Sequence, residues 1–275
     1  MSTKISALSN LQQRLIVGVL GAALFIGGII FSEWTFFLLF LGLTLLGTLE
    51  FYKLVGTAGI KANKVYGAVL AVGVFVSAFL MDKGYMPAEL LYLALPALFL
   101  VFVLEMYRKE AQPFTNIAFT ILGVLYIAFP FSLLQLLGHL QGEYRWQPIL
   151  GLMLLIWASD TGAYIAGKNF GKHKLFERIS PGKTWEGWVG GTILTVAVGW
   201  GLALFFHDLE FYQWIGIAVI VSVFGVLGDL AESLLKRSLG VKDSGTLLPG
   251  HGGILDRFDS LIMVIPFIVA FLKIF

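Results

Sequence analysis

The sequence contains no cysteine, which removes disulfides, thiolate metal ligands and cysteine nucleophiles together. Charge is also scarce: Asp, Glu, Lys and Arg make up 13% of the 275 residues, against about 25% in a soluble domain. The formal net charge is only +2, so the chain carries no general basic footprint and no nucleic-acid partner is expected. No block is polar enough to stand as a separate soluble domain, and there is no internal repeat, low-complexity tract or linker. What fills the chain instead is apolar: 58% of residues are hydrophobic and the mean hydropathy is +0.86. The apolar runs recur from residue 15 to the last residue. The fold class this predicts is an all-α polytopic integral membrane protein.

A helix crossing the hydrocarbon core needs about 20 mostly apolar residues. Windows of that size predict nine spans, over 15–32, 34–54, 64–81, 88–105, 114–138, 148–167, 185–206, 211–235 and 258–275. Lys and Arg accumulate in cytoplasmic loops. With nine spans, sixteen of the nineteen basic residues fall on one side, and Lys83, Arg145 and Lys273 alone fall on the other. This predicts the N-terminus inside and the C-terminus outside. Two late inside loops, 168–184 and 236–257, are long and rich in Gly, Lys, Arg and Asp. The expected division of labour is therefore a lipid-facing scaffold over 1–140, and a catalytic half over 141–275 with a polar cavity open to the cytoplasm.

An ionised side chain at mid-bilayer costs about 2.5–3.5 kcal/mol on insertion scales, so each one needs a reason. Asp160 lies inside the sixth span, and Asp229 and Glu232 lie near the cytoplasmic end of the eighth. Asp229, Glu232 and Lys236 are spaced i, i+3, i+7 and form one polar stripe on a helix. Asp256 and Asp259 repeat the i, i+3 spacing where the ninth span begins, with Arg257 between them. Gly162, Ala163, Gly225, Gly228 and Ala231 would let helices approach closely beside these acids. Asp160 alone could simply bond a neighbouring helix. Glu50 and Glu105 read as interfacial ion pairs with Lys53 and Arg108. Several carboxylates at one depth repel unless a cation lies among them, and oxygen donors without Cys point to a hard ion such as Mg²⁺.

The basic residues supply the other half. Arg178-Ile-Ser-Pro-Gly-Lys-Thr-Trp-Glu-Gly187 opens the seventh span, with Ser180 read as the helix N-cap and Pro181 as its first residue. Free N–H groups there, with Lys183 beside them, would make an anion site. A P-loop is excluded, because Glu177 stands where that motif needs Gly. Lys172, Lys174 and Arg178 read as topology-fixing charges. The loop from Lys236 to Arg257 carries five glycines and the basic residues Lys236, Arg237, Lys242 and Arg257. Glycine lets backbone N–H groups close on a phosphate. His251 could contact substrate, act as acid or base, or orient the loop; no second His is near enough in sequence to make a zinc site.

At these residues the sequence resembles the phosphatidate cytidylyltransferase (CDP-diacylglycerol synthase) family. Gly228-Asp-Leu-Ala-Glu-Ser-Leu-Leu-Lys-Arg237, Lys242-Asp-Ser-Gly245 and Pro249-Gly-His-Gly-Gly-Ile-Leu-Asp-Arg-Phe-Asp259 are similar to its signature. Ser180-Pro-Gly-Lys-Thr-Trp-Glu-Gly187 and Asp160-Thr161 with Tyr164 are similar to its other motifs, and Glu50-Phe-Tyr-Lys-Leu54 is a faint match. The resemblance implies transfer of the cytidylyl group of CTP to phosphatidic acid in a bacterial cytoplasmic membrane. It implies Asp229 and Asp256 as Mg²⁺ ligands and catalytic residues, with Lys236 and Arg257 beside them. Asp160, Glu232 and Asp259 are further metal candidates, leaving room for a second cation such as K⁺. Lys183, Arg237, Lys242, His251, Ser180 and Thr184 are the expected substrate contacts. Membrane lipids would surround the spans, and a homodimer would enclose the polar face. Two rivals share parts of this pattern: a CTP-dependent lipid kinase, and a cation-coupled transporter. The crowding of acids at one face argues against the transporter.

Overall fold

The computed structural model describes residues 10–245 and 252–275. Each expected span corresponds to a helix: α1 (Asn10–Ile30), α2 (Glu33–Gly56), α3 (Lys64–Asp82), α4 (Ala88–Arg108), α5 (Pro113–Gly138), α6 (Trp146–Phe170), α7 (Trp185–Phe205), α8 (Phe211–Ser238) and α9 (Leu255–Ile274). Seven of them, α2 to α8, are long and apolar enough to cross a membrane. α1 is apolar over Gly18–Ile30, and α9 carries Asp256, Arg257 and Asp259 in its first turns before an unbroken apolar run. The protein is an all-α integral membrane protein with one small addition, a two-stranded antiparallel hairpin of β1 (Lys174–Phe176) and β2 (Ser180–Thr184).

The loops sort onto two ends of the bundle, as the alternation of spans requires. At one end Lys61 pairs with Glu110 at 2.8 Å and Arg108 donates to the Lys61 carbonyl at 2.8 Å. At the other end Glu33 meets Lys83, Gln141 donates to the Asp208 carbonyl, and the Tyr212 hydroxyl donates to the Phe275 carbonyl. The first end holds the hairpin and the glycine-rich loop. Glu105 sits there paired with Arg108 at 2.7 Å, the interfacial pair expected of it.

Aromatic side chains fill the centre: Phe36, Phe40, Phe51, Tyr52, Phe131 and Trp214 are all fully buried. Two helices widen locally into π turns. In α5 the turn is Val124–Ala128, just before Pro130, whose ring lacks an N–H and crowds the carbonyl four residues back. In α8 it is Val221–Gly225, and two carbonyls there find outside donors. Trp188 Nε1 donates to the Ser222 carbonyl at 2.8 Å, and Ser260 Oγ to the Gly225 carbonyl at 3.0 Å. The widened turn thus ties α8 to α7 and α9 immediately before Asp229.

Small residues set the closest approaches, as the sequence predicts. A Cβ on Gly162 would lie 2.8 Å from the Gly190 carbonyl and 3.0 Å from Gly191 Cα, so α6 and α7 touch backbone to backbone. A Cβ on Gly228 would lie 2.7 Å from the Asp259 carbonyl, which locks α8 against α9. Overpacking such a seam costs about 1–3 kcal/mol. Gly162→Val is therefore expected to lower the thermal stability of the detergent-purified protein by about that amount, whereas Gly73→Val, which faces open space on α3, leaves it unchanged; parallel melting curves check this.

Candidate active site

Three elements bring the predicted charges together at the hairpin end. α6 supplies Asp160, β2 of the hairpin supplies Lys183, and α8 supplies Asp229. Lys183 Nζ stands 2.7 Å from Asp229 Oδ2, and Ser233 Oγ donates to Asp229 Oδ1 at 3.2 Å. Asp160 lies within electrostatic reach of both Lys183 and Asp229. These residues line a cleft of about 490 Å³ together with Tyr164, Lys168, Thr184 and Trp188, a volume in the range of small-ligand sites. Lys168, its Nζ 5.8 Å from the Tyr164 ring centroid, also lines the cleft, a residue that no motif in the sequence singles out.

The hairpin corrects one expectation. Ser180 is not a helix cap; Ser180–Thr184 is β2, and the N-cap of α7 is Thr184, whose Oγ1 accepts from Gly187 N at 3.1 Å. Antiparallel pairing of Lys174 with Thr184 and of Phe176 with Ser180 competes with helix for this segment and wins. Glu186 clamps its base, accepting from Lys172 N at 3.1 Å and from His173 Nδ1 at 2.6 Å. Lys183 is thereby held on a short strand immediately before the helix, aimed at Asp229. Ser180 stands at the far end of β2 and does not line the cleft.

A second knot lies deeper. Lys236 Nζ contacts Glu232 Oε2 at 2.8 Å and Asp256 Oδ1 at 2.5 Å. Asp256 Oδ2 accepts from Gly253 N at 3.0 Å and lies 3.0 Å from Ser244 Oγ. Asp259 bridges the two knots electrostatically, within reach of Asp229, Asp160 and Glu232. The predicted stripe is therefore split: Glu232 and Lys236 pair at i, i+4, while Asp229 turns to Lys183. Arg237 donates to the Val241 carbonyl at 3.3 Å, and Lys242 is exposed on the following loop. Arg257 is exposed at the start of α9. His251 lies outside the described residues.

Glu50 overturns a second expectation. It is not an interfacial partner of Lys53 but is 2% exposed. It accepts from Ser244 Oγ at 2.6 Å, Ile254 N at 2.9 Å and Leu255 N at 3.1 Å. The sequence signal for this was present, an acid near a helix end, but the adjacent Lys53 offered a nearer and simpler partner.

The donor set fits a hard cation. Every candidate ligand is a carboxylate oxygen, and Glu232 Oε1 is buried with no hydrogen-bond partner. Among the described residues no three acidic or histidine side chains converge on one point.

Comparison with known proteins bears on the same residues. The chain matches the cytidylyltransferase family over residues 12–275. It is 37% identical over 243 residues to the phosphatidate cytidylyltransferase of Staphylococcus saprophyticus subsp. saprophyticus, covering 87% of this chain and 88% of that protein. It is 40% identical over 210 residues to that of Staphylococcus aureus, covering 75% and 79%. With that of Bacillus subtilis it shares 33% identity over 270 residues, covering 97% and 99%. A match of this extent, on a membrane bundle whose cleft gathers lysines and carboxylates, makes the chain a member of the cytidylyltransferase family.

Proposed function

We propose that the chain transfers the cytidylyl group of CTP to phosphatidic acid, giving CDP-diacylglycerol and pyrophosphate for phospholipid synthesis. One observation carries the reading: the cleft that sets Lys183 against Asp229 beside Asp160, in a chain whose relatives are named phosphatidate cytidylyltransferase. A phosphate oxygen of phosphatidic acid attacks the α-phosphorus of CTP. The bond from that phosphorus to the oxygen bridging to the β-phosphorus breaks, and pyrophosphate leaves. The lipid phosphate is already an anion, so no protein nucleophile is required. Reactions of this type depend mostly on positioning and charge neutralisation.

In this reading Asp229 and Asp256 hold Mg²⁺, which when bound neutralises phosphate charge and withdraws electrons from phosphorus. Asp160, Asp259 and Glu232 orient that site or hold a second, monovalent cation. Lys183 meets a triphosphate in the cleft, and its charge is available because the pair is open: its side chain is 24% exposed and that of Asp229 is 40% exposed. Lys236 is fixed between two carboxylates before any substrate arrives, so little reorganisation is left for the reaction. Arg257, Arg237 and Lys242 supply further positive charge, and Ser180, which stands outside the cleft, and His251 remain candidate substrate contacts. The face with the hairpin and the glycine-rich loop is the cytoplasmic one, with the N-terminus inside and the C-terminus outside. CTP then arrives from water and phosphatidic acid slides in from the inner leaflet.

Turnover of purified protein with phosphatidic acid and CTP tests the assignment, run with Mg²⁺ and with chelator. Product is expected only with the metal. Asp229→Asn and Asp256→Asn are each expected to lower kcat by at least about 10²-fold while the protein stays folded, the scale seen when one preorganised charge-stabilising group is removed. Wild-type rates in both variants would contradict the assignment. Lys183→Met is expected to lose about 10²–10³-fold with CTP, and less with a cytidine nucleotide analogue whose phosphate chain carries less charge; an equal defect toward every nucleotide would show that Lys183 does not read phosphate charge.

A further inference from the structure

Glu50 belongs to α2, far in sequence from the signature residues, yet its carboxylate is satisfied by the loop that leads into α9. Oε1 accepts from Ser244 Oγ and Leu255 N, and Oε2 accepts from Ile254 N. Burying a carboxylate is costly unless donors replace its water, and these three do so. The loop is shaped to reach it. A Cβ at Gly253 would collide with Glu50 Oε1 and Ser244 Oγ, and a Cβ at Gly245 would stand 3.0 Å from Glu50 Cδ. Glycine is required at position 253 because the backbone closes on the acid, and position 245 is tightly packed against it.

The same segment is tied on its other side to the deep knot. Ser244 Oγ lies 2.6 Å from Glu50 Oε1 and 3.0 Å from Asp256 Oδ2. Asp256 in turn takes Gly253 N at 3.0 Å and Lys236 Nζ at 2.5 Å. The loop is stitched between two carboxylates, one structural in position and one at the site. Glu105 is equally buried at 2% exposed, but it is paired at 2.7 Å with Arg108. Glu50 has no such arrangement, and Lys53 beside it is exposed.

We propose that Glu50 is a positioning residue of the transfer reaction. It touches no substrate, but docks Ser244 and residues 253–255 so that Asp256 and Lys236 stand where the chemistry needs them. The inference rests on the proposed function for what the loop does, and on the hydrogen bonds alone for how Glu50 holds it. Glutamine at this position is the discriminating change. It keeps the shape, but in either orientation of the amide its NH₂ faces a backbone N–H, so at least one bond becomes a donor–donor contact.

The experiment is hydrogen–deuterium exchange on the full-length protein in detergent, without substrates, beside steady-state turnover of the same preparations. In Glu50→Gln, amides in peptides spanning 252–255 are expected to exchange about 10-fold faster, the equivalent of one lost charged hydrogen bond, while the other helices exchange as in wild type. kcat is expected to fall at least about 10-fold with KM for both substrates nearly unchanged, since the loss is of site geometry and not of binding. Ser244→Ala should move both readouts in the same direction by less, and Lys53→Ala should move neither. Wild-type exchange at 252–255 in Glu50→Gln would overturn the proposal. So would faster exchange spread evenly over the chain in Glu50→Gln together with wild-type loop exchange in Ser244→Ala. Wild-type protein inert toward phosphatidic acid and CTP would instead overturn the functional reading, and loop-confined exchange in Glu50→Gln would still support the docking.

Discussion

A carboxylate carried into an apolar bundle must find donors, and in this protein that requirement organises everything near the site. Lys236 answers it for two acids at once, with Glu232 at 2.8 Å and Asp256 at 2.5 Å. Removing one member of such a buried set typically costs about 3–5 kcal/mol, because a charge is left without its partner. A well-packed apolar trio would serve stability as well or better, so the set is better explained by what it holds in place. Backbone must come close for these donors to reach: Gly228 lets α8 meet α9, Gly253 lets the loop meet Glu50, and the π turn before Asp229 is satisfied by Trp188 and Ser260.

The two knots of charge differ in a way that matters for chemistry. The Lys236 side chain is 12% exposed and that of Glu232 is 2% exposed, whereas Lys183 and Asp229 open onto the cleft. The deep knot is a fixed scaffold of charge. The shallow one can exchange partners when a phosphate enters, because Lys183 Nζ can move from a carboxylate to a phosphate oxygen at little cost in a solvated mouth. Asp259, lying electrostatically between them, couples the two. Fixed charges behind and exchangeable charges in front suit a reaction in which one anion must approach another.

Much of this was legible in the chain. Spans were readable because lipid demands long apolar runs with every backbone group bonded internally, and each expected window has its helix. The acids of the site were readable because charge in such runs is rare and needs a reason. Three things were hidden, each for a physical cause. Ser180-Pro181 carries the local signal of a helix start, but pairing with Lys174–Phe176 draws it into a strand and passes the cap to Thr184. Glu50 looked like a partner of Lys53 because local spacing is all that sequence shows; its true donors, Ser244, Ile254 and Leu255, are brought to it only by tertiary packing. Lys168 was missed for a related reason, since a basic residue at a span end is ordinarily explained by topology alone.

In cytidylyl transfer the bond broken lies at the α-phosphorus of CTP and the nucleotide ends on the lipid. Purified protein given phosphatidic acid and CTP labelled either at the α- or at the γ-phosphate tests this directly. α-Label is expected to enter the lipid product while γ-label is released as pyrophosphate. Entry of γ-label into lipid would show kinase chemistry, and would contradict it.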